Sequence, residues 1–155
     1  MAEATIHRAR LRWSGGVEGA AMDYETFSRD YDLTFESGVV LPGSSAPSFK
    51  GDPTRVDPEA MLVGALSSCH MLTFLALMSR KRLPVLGYDD EAEGVLEQKD
   101  GKLRVTRVLL RPKIRLAQPV DAEVLARAQE KAHDHCFIAN SVTCEVAIEP
   151  VYENA

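Results

Sequence analysis

The chain has 155 residues, 45% of them hydrophobic and 26% charged, with a net charge of −5. That length suits a single domain, residues 1–155, of soluble globular composition. Basic residues scattered under a net negative charge argue against the basic face of a nucleic-acid binder, and the opening Met-Ala-Glu-Ala-Thr-Ile-His-Arg, without a basic segment followed by an apolar run, leads us to expect no secretory signal.

From Ala4 to Trp13 the residues alternate, with Ala9, Leu11 and Trp13 on one side and Arg8, Arg10 and Arg12 on the other. This predicts a half-buried strand, ended by Gly15-Gly16. Glu18 to Phe27 lacks periodicity and is expected to be a loop. Tyr31, Leu33 and Phe35 alternate with polar neighbours and predict a second strand, with a short third at Val39–Leu41 after a turn at Ser37-Gly38. The run PGSSAPSFKGDPTR that follows is rich in Pro, Gly and Ser and reads as a loop.

Asp57-Pro58-Glu59 then offers a capping acid, a proline at the first helical position and an acid in the first turn. The helix they open is expected to run to about Arg82, with Pro84 as its stop. Its stretch AMLVGALSSCHMLTFLALM holds no Asp, Glu, Lys or Arg. The length approaches a membrane span, but Gly64, Ser67, Ser68, His70 and Thr73 dilute it, and no membrane association is expected. A helix apolar on all faces is expected to be fully buried. So small a domain cannot easily bury one on every side, which points to a partner subunit. Further strands are predicted from Tyr88 to about Glu97, from Leu103 to about Leu116, and from Thr143 to Tyr152. A second helix spans roughly Pro119 to Asp134, and a helical turn covers Phe137–Ser141. Hairpins with two helices imply an α+β fold with a largely antiparallel sheet.

Three cysteines, an odd number, do not form a disulfide framework. In the expected reducing, cytoplasmic setting, a catalytic or sensing disulfide is more plausible than a persistent structural one. Cys69, mid-helix, shares a face with Leu62, Ala65 and Leu66; it is either a small buried hydrophobe or, given a nearby cation, a reactive thiolate. Cys136, where the second helix ends, is either a buried plug or a redox partner, provided the fold brings the two Cα atoms within about 7 Å. The cluster of His133, His135 and Cys136 fits no standard zinc spacing, and helix-end histidines have a simpler origin in the dipole. No metal or other cofactor is expected. Cys69 and His70 point about 100° apart on a helix, so they are poorly placed as a hydrolytic pair. Cys144 reads as strand packing. Glu59 lies about 15 Å along the helix from Cys69 at 1.5 Å per residue. If both serve one site, Glu59 comes from a second subunit.

The stretch DPEAMLVGALSSCHMLTFLALM, with a proline-glutamate pair ten residues ahead of a cysteine, resembles the first-cysteine segment of the OsmC/organic hydroperoxide resistance (Ohr) proteins, and AHDHCFIANSV resembles the second. The resemblance runs from about Arg29 to Tyr152. It implies an intertwined homodimer, with largely antiparallel sheets wrapped around long central helices and two sites at the subunit interface. It also implies a cysteine-based peroxidase for organic hydroperoxides, with Cys69 the peroxidatic and Cys136 the resolving residue. In that reading Glu59 is the motif glutamate and Arg29 the activating arginine; Arg55 and Lys50 are the other cations in reach. A Cys69–Cys136 disulfide would form through a sulfenic acid and be reduced by a lipoyl- or thioredoxin-like dithiol. Met71, Phe74 and Phe137 are expected to make the site apolar. The residues flanking Cys136 depart from both main branches, which leaves His133 and His135 without an assigned role. The competing reading is a non-enzymatic ligand-binding or redox-sensing stress protein.

Overall fold

The computed structural model describes residues 3–155. The chain forms two compact units, Met1–Met61 and Leu62–Ala155.

The first unit is an antiparallel sheet of β1 (Ala9–Trp13), β2 (Tyr31–Phe35) and β3 (Val40–Gly43) in the order β1-β2-β3. Leu11 pairs with Leu33, and Leu33 with Leu41. The strand expected over Ala4–Trp13 begins only at Ala9, and every residue of β1 is exposed rather than half-buried. It is an edge strand, and within this chain Leu11 remains 65% exposed. Trp13 instead spends its polar atom locally, its indole N–H donating to the Ser28 carbonyl at 2.8 Å. The third strand extends past the expected Leu41 through Pro42, which an edge strand tolerates because its missing N–H costs no ladder bond. In the loop beyond, Gly51 is obligatory: a Cβ there would sit 1.5 Å from the Ser45 carbonyl oxygen.

Helix α1 (Pro58–Arg80) opens as the capping signal predicts, with Asp57 Oδ1 accepting from the Ala60 N–H at 2.8 Å. It closes at Arg82, whose left-handed φ of 57° lets the Leu83 N–H reach back to the Met78 carbonyl at 3.0 Å.

In the second unit each of the three long strands expected from the pattern is broken in two. The first becomes β4 (Val85–Asp90) and β5 (Glu93–Lys99), the second β6 (Lys102–Leu110) and β7 (Pro112–Leu116), the third β8 (Glu145–Ile148) and β9 (Val151–Asn154). The halves join different sheets, β4-β7-β9 and β5-β6-β8. Pro112 and Pro150 supply two of the breaks by removing ladder donors. The third is fixed by Asp90, whose carboxylate accepts from the Arg111 N–H at 2.7 Å and from the Ser67 hydroxyl of α1. Four strand pairings are antiparallel, while β6–β8 and β7–β9 are parallel. Helix α2 (Ala122–Asp134) lies between β7 and β8 in sequence, capped by Asp121, and a single 3-10 turn at Ala139–Ser141 follows it.

Two cores result. Leu66 of α1 packs with Val108 and Leu110 of β6. Phe74 and Met78 pack with Ile114 and Leu116 of β7 and with Leu125, Ala128 and Ala132 of α2. The buried residues of α1 are Leu66, His70, Phe74 and Met78, one stripe at four-residue spacing. The opposite stripe, Gly64, Ser68, Leu72 and Ala76, is exposed. Within one chain the helix is therefore not enclosed on all faces, although its length and composition alone would let it cross a membrane.

Candidate functional site

Cys69 lies on α1 between the two core contacts, one residue before His70, and is partly exposed. Cys136 follows the C-terminal turn of α2 and is 1% exposed. Both are free thiols, and they lie near one another: Cys69 lines one groove with His135, Phe137 and Ile138, the residues on either side of Cys136. Burial first, and then the nearby Cys69, push the Cys136 thiol up, while the N–H groups of Ala139 and Ile138 pull the other way. The Ala139 N–H donates to Cys136 Sγ at 3.4 Å. Cys144 is a third free thiol, packed against the Leu66 core.

Cys69 opens onto a largely apolar groove of about 580 Å³. Leu72, Ala76 and Leu77 line it from α1, and Phe137 and Ile138 from the segment after Cys136. Phe137 takes part as expected. Phe74 does not: it points away from the groove and is fully buried in the core. Met71 is likewise absent from the lining, because on a helix the face of Cys69 is continued by positions 65, 72, 73 and 76.

Behind the groove His70 is 1% exposed, its Nε2 at 2.7 Å from Gln129 Oε1. Gln129 Nε2 donates onward to the Tyr152 hydroxyl at 2.8 Å. The amide acceptor requires a proton on His70 Nε2. Burial lowers the His70 pKa, with the Gln129 bond opposing. Burial also raises the Tyr88 and Tyr152 hydroxyls. This network ties α1 to α2 one residue along from Cys69. His70 at four-residue spacing between Leu66 and Phe74 was the available signal for it.

The candidate cations belong to the first unit and differ in how far they are already neutralised. Lys50 pairs with Glu25 at 2.5 Å. Arg55 faces Asp30, Asp32 and Asp52 at 3.2, 3.6 and 3.8 Å. Arg29 is held by neutral groups: its guanidinium donates to the Phe27 carbonyl at 2.6 Å and to that of Tyr24, and stacks 3.7 Å over the Phe27 ring. Among the described residues Arg29 has no ion-pair partner, nor has Glu59. The charge of Glu59 is felt instead at Tyr31, whose hydroxyl is raised by burial first and then by Asp57 and Glu59. Among the described residues no group of three or more His, Cys, Asp and Glu side chains could hold a metal.

The model of the family described as OsmC-like protein matches residues 51–151. YmaD of Bacillus subtilis strain 168, an uncharacterized protein, is 27% identical over 120 residues, 75% of this chain and 80% of that one. A solved OsmC-like protein of unknown function from Vibrio cholerae is 35% identical, covering 96% of this chain and all of that chain, with a TM-score of 0.87. The organic hydroperoxide resistance protein OhrB of Bacillus subtilis shares the fold at 14% identity, covering 96% of this chain and 98% of that one, with a TM-score of 0.65. With the family model spanning more than half of its residues, this chain belongs to the OsmC-like protein family.

Proposed function

We propose that this protein is a cysteine-based peroxidase for organic hydroperoxides, acting in a redox or stress response. The observation that carries the reading is the apolar groove onto which Cys69 opens, walled by His135, Phe137 and Ile138 on either side of the buried Cys136. The Cys69 thiolate attacks one peroxide oxygen, the S–O bond forms as the O–O bond breaks, and an alkoxide departs. Cys69 is left as a sulfenic acid. Cys136 condenses with it to a disulfide, releasing water, and a dithiol of lipoyl or thioredoxin type restores both thiols by exchange. The groove favours an organic peroxide over hydrogen peroxide, because its walls replace water around the apolar part of the substrate.

Arg29 is the cation of choice in this reading. Its positive charge is balanced by carbonyls and a ring, so it can still stabilise a thiolate and a departing oxyanion. Arg55 has given that capacity to three carboxylates. The reading includes a homodimer forming a single domain per chain. A second copy packs on the exposed face of α1, closing the outer side of the groove over Ser68, Leu72 and Ala76, and brings its Glu59 to orient the arginine by a bidentate pair.

The test is consumption of cumene hydroperoxide by the purified protein with dihydrolipoate. The parental protein should turn over many equivalents, and Cys69→Ser should fall to the uncatalysed rate. Oxidation of Cys69 without sustained turnover would support a sensor instead. Turnover by Cys69→Ser at the parental rate would sink the mechanism, and a single-chain mass by light scattering would sink the dimer.

A further inference from the structure

The alkoxide that leaves during peroxide attack has to collect a proton, and a side chain of the groove can supply it faster than bulk water. Its polar side chains are Ser68, Cys69, Thr73, Arg80 and His135. Two of the protons are already committed to helix carbonyls: the Thr73 hydroxyl donates to the Cys69 carbonyl at 2.9 Å and the Ser68 hydroxyl to that of Ala65 at 3.2 Å. Arg80 is a guanidinium, which does not give up a proton in proteins, and it lies eleven residues, or about 16 Å, farther along α1.

His135 remains. It lines the same groove as Cys69 and is the chain neighbour of Cys136, so its Cα is only about 3.8 Å from that of Cys136. Its ring is anchored, with Nδ1 at 2.9 Å from the Lys131 carbonyl, which also accepts the His135 backbone N–H at 3.0 Å. A carbonyl can only accept, so Nδ1 carries the proton of that bond and Nε2 is the nitrogen free to exchange one. The other two histidines nearby differ. His70 has its Nε2 bound to Gln129 inside the core, and His133 has a buried Nδ1 and does not line the groove.

We propose that His135 is a catalytic proton donor, an assignment that rests on the peroxidase reading of the same groove. Neutral His135 takes the Cys69 thiol proton on Nε2 through the groove. As the S–O bond forms and the O–O bond breaks, the imidazolium returns that proton to the departing oxygen. The products are the Cys69 sulfenic acid, an alcohol and neutral His135, with no net proton change. The charged and titratable groups around the ring are Cys69 and Arg80 from α1, and Lys131, His133, Asp134 and Cys136 from its own segment.

The experiment compares two oxidants on the reduced protein, reading sulfenic acid formation at Cys69 by trapping and mass spectrometry. tert-Butyl hydroperoxide loses an alkoxide that needs protonation; peracetic acid loses acetate, which does not. The variant is His135→Asn, whose amide N–H can still reach the Lys131 carbonyl, with His135→Gln as a second. The tert-butyl hydroperoxide rate should fall by about a hundredfold, as expected for losing a general acid, and the peracetic acid rate by less than about threefold, since its leaving group needs no acid. Because both rates come from one sample, the ratio is unaffected if part of a variant is unfolded. An unchanged ratio in both variants would overturn the assignment and leave the peroxidase reading standing. A parental protein inert to both oxidants would overturn both.

Discussion

Cys69 and Cys136 lie near one another, yet they occupy opposite environments. Cys69 looks out over an apolar groove; Cys136 is 1% exposed and held above its ordinary titration range by burial and by Cys69 itself. The comparison teaches that nearness alone does not make two thiols equivalent. Solvent access selects which of them meets a substrate, and burial keeps the other protonated until it is needed. In the proposed cycle the difference sets the order of events. Once Cys69 is a sulfenic acid it no longer bears the negative charge that opposes ionisation of Cys136.

The sharpest way to break this asymmetry is Cys136→Ser. It should leave the first oxidation of Cys69 intact, abolish turnover with dithiol, and accumulate a trappable sulfenic acid; undiminished turnover would mean that Cys136 does not resolve. Next is the anchor that holds the Cys69 side of the pair. Asp90→Ala removes the acceptor for Ser67 and for the Arg111 N–H, and should cost about 2 to 3 kcal/mol in urea unfolding because hydrogen bonds to a charged group are lost. It should also slow disulfide formation, whereas equal stability would show the anchor to be idle. The bond between His70 and Gln129 ties the two helices together, and acid tests it. His70 titrates below its ordinary 6.5 in the folded protein, so the unfolded chain binds the extra proton. Stability should be full above about pH 6.5 and fall below it by at most about 1.4 kcal/mol per pH unit. His70→Gln should flatten that slope, and a slope unchanged in the variant would assign it to another group. The smallest effect is a control far from the sulfurs. Arg82→Gly relieves a left-handed residue and should raise stability by about 1 kcal/mol, with no change in the rate at which the thiols pair.

Much of this was legible in the residues. Asp57-Pro58 marked the start of α1, the charge-free run marked its extent, and Asp121 capped α2. Pro112 and Pro150 could have warned that two of the long strands break, but Glu91-Ala92 carries no such mark, because that break depends on Asp90 reaching Arg111 and Ser67 from distant segments. The exposure of β1 was hidden for a related reason. Alternation tells which residues share a side, not whether anything covers it. The nearness of Cys69 to the segment around Cys136, 67 positions away, is a tertiary feature that no local pattern encodes. The groove role of His135 was out of reach for the same reason, although the His-x-His-Cys cluster drew attention to the right few residues.

The two sheets of the second unit part along one line, and α1 bridges the parting. Leu66 belongs to one core, Phe74 to the other, and Cys69 falls between them. Well-packed interiors leave no room for guests, and carving a hollow into one costs stability in proportion to its volume. The groove instead lies over Ser68, Leu72 and Ala76 on the face of α1 turned away from both cores, so the chain keeps an open berth at Cys69 without thinning either. Variants that fill either core more tightly should therefore strengthen this protein while leaving that berth open.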